Sequence, residues 1–442
     1  MALFAGAALM ASLATQARAQ SSDALIDKLV DKGILTANEA KDLREESDKD
    51  FKTAFQAKTG MPDWVTGYKL SGDFRGRFEQ FSGDNNGMVD RTRERYRVRF
   101  GITASMMDNL EVGFRLTSSD AKGVGSQSSV GNANSGNSTM QDNFTKKGVY
   151  IDAAYGKWTA VNSGGWLLAA TVGKMDNPFN FTPMVFDSDI TPEGAALTGG
   201  YTINDSHNLA FTSGAFVMDE ESGNTHDPFL YGGQILWNAK WTPKLASTVG
   251  VGAFQVVSAN QLSTVNVPYV NQGNTRTTNG IVANNFNPII ADASVTYTLD
   301  SFPLYAGAFP IKVGAEYINN PGAGNNNYGY WAGITFGKSG AKKTWDVSYR
   351  YEYLQADAWY DQMVDDDFGA FYANSPTAGG KGYFGGTNMK GHLIKANYSF
   401  TDSLTFTAAC YIDDLINSKV YNNVKEPQNS AIHFMADLMW KF

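Results

Sequence analysis

The last twelve residues alternate without a break. Ile432, Phe434, Ala436, Leu438, Trp440 and Phe442 fall on one side, and Ala431, His433, Met435, Asp437, Met439 and Lys441 on the other. In a β-strand successive side chains point to opposite faces. One face of this strand is therefore wholly apolar with an aromatic end, and the other is mixed and polar. The same pattern recurs through most of the chain, with polar loops between the runs and no helices left to cover the apolar faces. Such strands are expected to close on themselves and turn their apolar faces to lipid.

Composition agrees with one large β architecture. Gly (45), Tyr (21), Phe (27) and Trp (9) are plentiful and Pro (13) is scarce among 442 residues. Aromatic and β-branched residues suit a pleated surface. The mean hydropathy of −0.30 reads as that of a soluble protein. A transmembrane barrel gives such a value because only every second residue meets lipid. Beyond the N-terminus no apolar run reaches the ~18 residues of a membrane helix. The net charge of −8 gives no reason to expect nucleic-acid binding. A single cysteine, Cys410, excludes an intramolecular disulfide and falls on the apolar face of its strand. The histidines at 207, 226, 392 and 433 form no metal-spaced cluster, and no cofactor is expected.

Residues 1–19 read as a signal peptide, with Ala17-Arg18-Ala19 before Gln20 as an A-x-A cleavage site, although the usual positive segment is missing. Residues 20–62 read as a periplasmic helical hairpin. Its first helix, 22–32, stops at Gly33. The second opens on the capping box Thr36-Ala37-Asn38-Glu39, runs to about Lys58, and ends at Gly60 and Pro62. Either it is a spacer or plug, or it is a short coiled coil that trimerises the protein or reaches peptidoglycan.

From 63 to 442 the period is two. The spacing predicts strands at 68–81, 91–106, 110–119, 148–158, 166–174, 195–203, 207–218, 230–241, 245–257, 288–298, 310–318, 328–338, 344–355, 389–400, 404–413 and 431–442. The result is an all-β, sixteen-stranded antiparallel transmembrane barrel. The count is even, and connections alternate short and long, as periplasmic turns and extracellular loops do in bacterial barrels. The 299–309 connection is long for a periplasmic turn.

The chemistry concentrates on the first strands. Arg75 and Arg77, then Arg91, Arg93, Arg95, Arg97 and Arg99, then Arg115, all project from the face opposite the apolar one. In a barrel that face is the lumen, since several lipid-facing arginines would cost ~2–4 kcal/mol each near the midplane. A guanidinium column along a pore wall favours anions. Alternatively, the arginines pair with carboxylates such as Asp73, Glu79, Glu94 and Glu111. The segment 173–194 is a long loop rich in apolar residues (Phe179, Phe181, Met184, Val185, Phe186) and carboxylates. Folding into the lumen would bury the former and bring Asp187, Asp189 and Glu193 near the arginines, forming a constriction with a transverse field. Packing on the barrel rim is the alternative. Asp365-Asp366-Asp367 lacks the alternate-ligand pattern of a calcium loop and reads as a solvated extracellular loop. The loops at 120–147 and 258–287 read as long, polar and mobile. Catalytic motifs are absent: there is no G-x-S-x-G and no H-E-x-x-H, and the lumen-facing His433 reads as a wall residue. An enzyme is not expected.

Four features together resemble the putative porins of Gram-negative bacteria, distantly similar to phosphate-selective porins. They are the exported lead LIDKLVDKGILTANEAKDL, the strands LSGDFRGRFE and RYRVRFG, the segment GKMDNPF leading to DSDITPEG, and the closing half with WDVSYRYEYLQAD. The resemblance implies an outer-membrane barrel for passive diffusion of small hydrophilic solutes or ions, homotrimers, and recognition of Phe442 by the barrel-assembly machinery. No lysine-rich cluster suits a dedicated phosphate site. A substrate-specific channel and a plugged structural barrel tethering the membrane to the cell wall are the alternatives.

Overall fold

In a computed structural model, the structure describes residues 62–442 except 84–89, 125–126, 224, 264–266, 268–271, 370–384 and 418–429. Side chains are not described for 83, 122–124 and 127–129. Ahead of 62 it describes residues 26, 28–30, 32, 35–36 and 39–43. The signal peptide, Gly33 and the end of the second helix lie outside the described residues. Residues 28–30 and 39–43 are helical. The capping box is formed: Thr36 N–H donates to Glu39 Oε2 at 2.8 Å, and Glu39 N–H to Thr36 Oγ1 at 3.3 Å.

Sixteen long antiparallel strands follow: β1 Val65–Gly83, β2 Arg91–Met106, β3 Leu110–Ser118, β4 Val149–Ser163, β5 Trp166–Lys174, β6 Glu193–Asn204, β7 His207–Val217 and β8 Phe229–Lys240. Then come β9 Leu245–Val257, β10 Ile289–Leu299, β11 Phe309–Asn319, β12 Tyr328–Gly337, β13 Trp345–Leu354, β14 Met389–Ser399, β15 Leu404–Leu415 and β16 Ser430–Lys441. Each pairs with its neighbours in sequence, and β1 pairs with β16, so the sheet closes on itself. Arg77 stands opposite Asp437, and Phe81 opposite His433, across that seam. A two-residue strand, Ser138–Thr139, adds to β2 from the loop above.

The alternation carries through. Phe74, Val98, Phe100, Ile102, Val313, Tyr349 and Phe434 are among the large apolar side chains exposed on the outer wall, where lipid takes the place of a core. Cys410 aligns with Ile394 and Phe434, both on that wall. Connections at one end are short. The β4–β5 turn is Gly164-Gly165, with φ of +60° and +82°, the left-handed pair that a two-residue hairpin requires and glycine supplies without strain. At the opposite end most connections are longer, and described parts of the 119–148, 175–192, 258–288 and 355–388 loops enter the lumen.

Two expectations need correction here. The aspartate loop is not solvated: Asp361 and Asp365 are buried, because residues 355–369 fold inward with Trp359 at 0 % exposure. Parts of the 120–147 and 258–287 loops are not loose either, although residues 140–146 are exposed. Asn134, Ser135, Asn137 and Ser138 are buried beside the arginines, and Leu262, Val282 and Phe286 join an apolar cluster inside the barrel. Polar composition misled because these loops satisfy their hydrogen bonds against the lumen wall and against the 355–388 loop instead of water.

Candidate functional site: the lumen and its constriction

The 175–192 loop is fixed by three sets of contacts. Gln234 on β8 clasps Asn180 both ways: Asn180 N–H donates to Gln234 Oε1 at 2.8 Å, and Gln234 Nε2 donates to Asn180 O at 2.9 Å. Glu316 on β11 accepts from the Thr182 backbone N–H at 3.2 Å and from its hydroxyl at 2.5 Å. The 355–388 loop supplies the third set. Trp359 Nε1–H donates to Val185 O at 2.8 Å, Asp187 N–H to Met363 O at 2.7 Å, and Asp365 N–H to Pro183 O at 2.9 Å.

Around these bonds lies an aromatic core. The Phe179 ring meets Phe254 of β9 edge-on at 4.8 Å, Phe186 meets it at 5.4 Å, and Trp359 lies 5.5 Å away. Each large apolar side chain taken from water is worth about 1.5–3 kcal/mol, so burying Phe179, Met184, Val185 and Phe186 holds the loop inside. The β8–β13 side of the lumen is thereby filled.

Across from it stands the arginine wall. Arg77 makes a two-pronged pair with Asp437, both contacts at 2.8 Å, and also approaches Glu79 at 3.4 Å and Asp367 at 3.5 Å. Arg93 bonds Glu79 and lies 5.0 Å over the Phe81 ring; Arg95 reaches Glu79 at 3.6 Å and Asp120 at 3.4 Å. Arg97 bridges Asp73 and Asp189, each at 3.0 Å, and Arg99 holds Asp73 at 2.7 Å. Arg75 donates to Asn137 Oδ1 at 2.8 Å, with Asp437 at 3.9 Å. Arg115 is paired to Asp152 and Asp176. Arg91, at the mouth, has no ion pair among the described residues. Asp73 and Glu79 are thus partners of the column; Glu94 and Glu111 are not, and Glu111 accepts from Tyr155 Oη at 3.0 Å instead.

The three carboxylates of the loop part company. Asp189 meets Arg97 and, at 4.0 Å, Arg99. Burial pushes its carboxyl up, but Arg97, Arg75, Arg99 and Arg77 more than reverse this, leaving it below its ordinary value. Asp187 points toward the other loop, where its carboxylate and those of Asp365 and Asp366 lie within 4.8 Å of one another, a spacing a divalent cation spans. Burial first, and then Asp366, Asp189 and Asp365, push the Asp187 carboxyl up. Burial and Asp367 raise that of Asp365 to about 7, against the pull of Arg350 at 3.5 Å. Glu193 is the first residue of β6 and is bonded to Lys174 at 2.9 Å.

Between the loop and the arginine wall is a cavity of about 570 Å³ lined by Arg97, Arg99 and Lys174 and by Asp152, Asp189 and Glu193. Its cations and anions meet in pairs, Arg97 with Asp189 at 3.0 Å and Lys174 with Glu193 at 2.9 Å, so the wall is charged but nearly neutral. Inward parity on the strands would have flagged Asp437, Glu316 and Arg350. No sequence signal marked Gln234 or Trp359, because their roles depend on loops distant in sequence. His433 is fully buried, stacked on Phe81 at 4.2 Å, and His392 stands on the outer wall with its Nδ1 2.8 Å from Tyr349 Oη.

A closed sixteen-stranded barrel with a loop folded against a charged wall defines a channel of the porin type. The model of the family described as "Putative porin" matches residues 83–291, from the end of β1 into β10, and the chain resembles that family. With the fold, this resemblance supports a general outer-membrane channel. No curated protein sequence matches significantly. Among solved structures, the high-pH structure of OprB from Pseudomonas putida is 12 % identical, covers 85 % of this chain and 94 % of its own, and has a TM-score of 0.49. Salmonella typhi OmpF, solved with daunomycin, is 10 % identical with a TM-score of 0.47, covering 85 % of this chain and 97 % of its own. A Rhodopseudomonas blastica porin mutant is 11 % identical with a TM-score of 0.42, covering 85 % of this chain and all of its own.

Proposed function

We propose that this protein is a porin of the Gram-negative outer membrane that passes small hydrophilic solutes by diffusion, with a modest preference for anions. The observation that carries the reading is the inserted 175–192 loop, beside which an open space is lined by Arg97, Arg99 and Lys174 together with Asp152, Asp189 and Glu193. The preference is modest because eight carboxylates engage seven of the arginines, so these groups together carry no net positive charge. The preference rests instead on exposure, since Arg99 and Arg115 keep about a quarter of their side chains exposed. The narrowest section is assigned to Asp187–Glu193. A homotrimer, and assembly through Phe442, follow from the family resemblance.

The test is the reversal potential of the reconstituted channel across a salt gradient, wild type beside an Arg95→Ala, Arg97→Ala, Arg99→Ala variant. An anion-selective potential that moves toward zero or beyond in the variant supports the reading. A cation-selective wild type discards the arginine argument and keeps the channel. The four inserted loops favour a second reading, a plugged structural barrel, and the absence of any conductance would establish it.

A further inference from the structure

The connection between β10 and β11, residues 300–308, is the longest at its end of the barrel. Residues 301–308 (Ser-Phe-Pro-Leu-Tyr-Ala-Gly-Ala) carry no charge. Phe309, where β11 begins, has the outward parity of Val313 and Tyr317, which are exposed, yet Phe309 is 0 % exposed. Its cover comes from the turn. Phe302 stacks on it at 4.1 Å, Tyr305 meets it edge-on at 4.9 Å, and the outward Trp345 of β13 lies at 5.2 Å. The turn therefore lies back along the outer wall instead of hanging into water below the barrel.

Two bonds hold it there: Trp345 Nε1–H donates to Leu304 O and Tyr305 Oη–H to Lys338 O, both at 2.9 Å. Its tip is Leu304, 94 % exposed, at φ +60°, a left-handed conformation that leucine rarely adopts. Phe302 beside it is partly exposed. At this level the outer wall bears Tyr297, Tyr398, Phe400, Phe406 and Trp440, exposed rings of the kind that mark a membrane–water boundary. The adjacent turn, 338–344, exposes Lys338, Lys342 and Lys343, none of them ion-paired among the described residues. Lys244, on the next rim turn, is held by Asp300.

We propose that the 300–308 turn is a membrane-interface anchor. Leu304 and Phe302 enter the acyl edge of the nearer leaflet, and Lys338, Lys342 and Lys343 take up anionic phospholipid headgroups. An apolar tip beside basic side chains has the complementarity of an in-plane anchor on anionic lipid.

Cys410 is the chain's single cysteine, so Cys410→Ala provides a clean background for labelling. In the full-length protein, Leu304→Cys is labelled with an environment-sensitive fluorophore and reconstituted in phosphatidylcholine vesicles with and without phosphatidylglycerol. Ser206→Cys, in the polar β6–β7 turn, is the aqueous reference. The expected result is a blue-shifted emission at 304, quenched by brominated acyl chains and more strongly so with phosphatidylglycerol. A Lys338→Gln, Lys342→Gln, Lys343→Gln variant should lose the phosphatidylglycerol dependence and keep the quenching. Emission matching position 206 would overturn the anchor. A blue shift without lipid quenching would also overturn it, assigning the turn to a contact with a second copy. Quenching indifferent to phosphatidylglycerol in the unsubstituted protein would overturn the headgroup assignment.

Discussion

The two sides of the lumen solve the same packing problem in opposite ways. On β1–β3 the wall is charged, and its guanidinium groups are held apart and in place by carboxylates. On β8–β13 the wall is dried by Phe179, Phe186, Phe254 and Trp359. A charged wall remains wettable, since guanidinium and carboxylate groups keep unspent hydrogen-bonding capacity. An aromatic wall excludes water and fixes the loop that borders the passage. Passage and framework are thus separated across the barrel's width.

The contrast can be broken most severely at Trp359. Trp359→Ala removes the ring that joins the two inserted loops and the donor to Val185 O. Large-to-small changes of this kind cost about 3–5 kcal/mol. The loops should come loose while the strands persist, read as a larger single-channel conductance with barrel content unchanged by circular dichroism. A conductance equal to wild type would mean the aromatic side does not restrain the passage.

Next is the clasp. Gln234→Leu leaves the Asn180 N–H and carbonyl without their partner, at about 1–3 kcal/mol. Faster current noise is expected, with a mean conductance between those of wild type and Trp359→Ala. Asp189→Asn acts on the charged side. It removes one of the two carboxylates that hold Arg97 and Arg99, so the reversal potential should move toward anion selectivity with loop order unchanged. A move toward cations would contradict the pairing.

The smallest effect expected is with pH. The Asp365 carboxyl is raised to about 7, so it keeps its proton in the folded loop where an unfolded chain has lost it. Below its ordinary value of 3.8 the carboxyl is neutral in both states, and as pH rises from there through about 7 ionising it in its buried place beside Asp367 costs stability. Conductance should therefore be lower at pH 5 than at pH 8, and Asp365→Asn should flatten the difference. A profile unaltered by that change would sink the assignment.

The strands were legible in the sequence because alternation is a local property: each of the sixteen expected strands overlaps an observed one. The arginine column was legible for the same reason, since Arg93, Arg95, Arg97 and Arg99 share parity on one strand. Their partners were only half legible. Asp73 and Glu79 lie on the neighbouring strand, whereas Asp437 lies 360 residues from Arg77 and Asp367 lies 290 away. The inward loops were hidden further. Nothing near Asn180 announces Gln234, and a run of three aspartates looks solvated until the seventh strand pair's loop is seen to bury Asp365.

The seam between β1 and β16 has a kinetic consequence. Every other pairing in the barrel joins strands adjacent in sequence and has only a short or moderate loop to close. This one joins residues 73–83 to 431–441, so its loop-closure entropy is the largest in the molecule. Until it forms, two open edges are available for mispairing. The Arg77–Asp437 fork lies directly across that seam and faces inward, and a slip of one residue would turn one of the two side chains toward lipid. The ion pair therefore favours the native register at closure over one shifted by a residue.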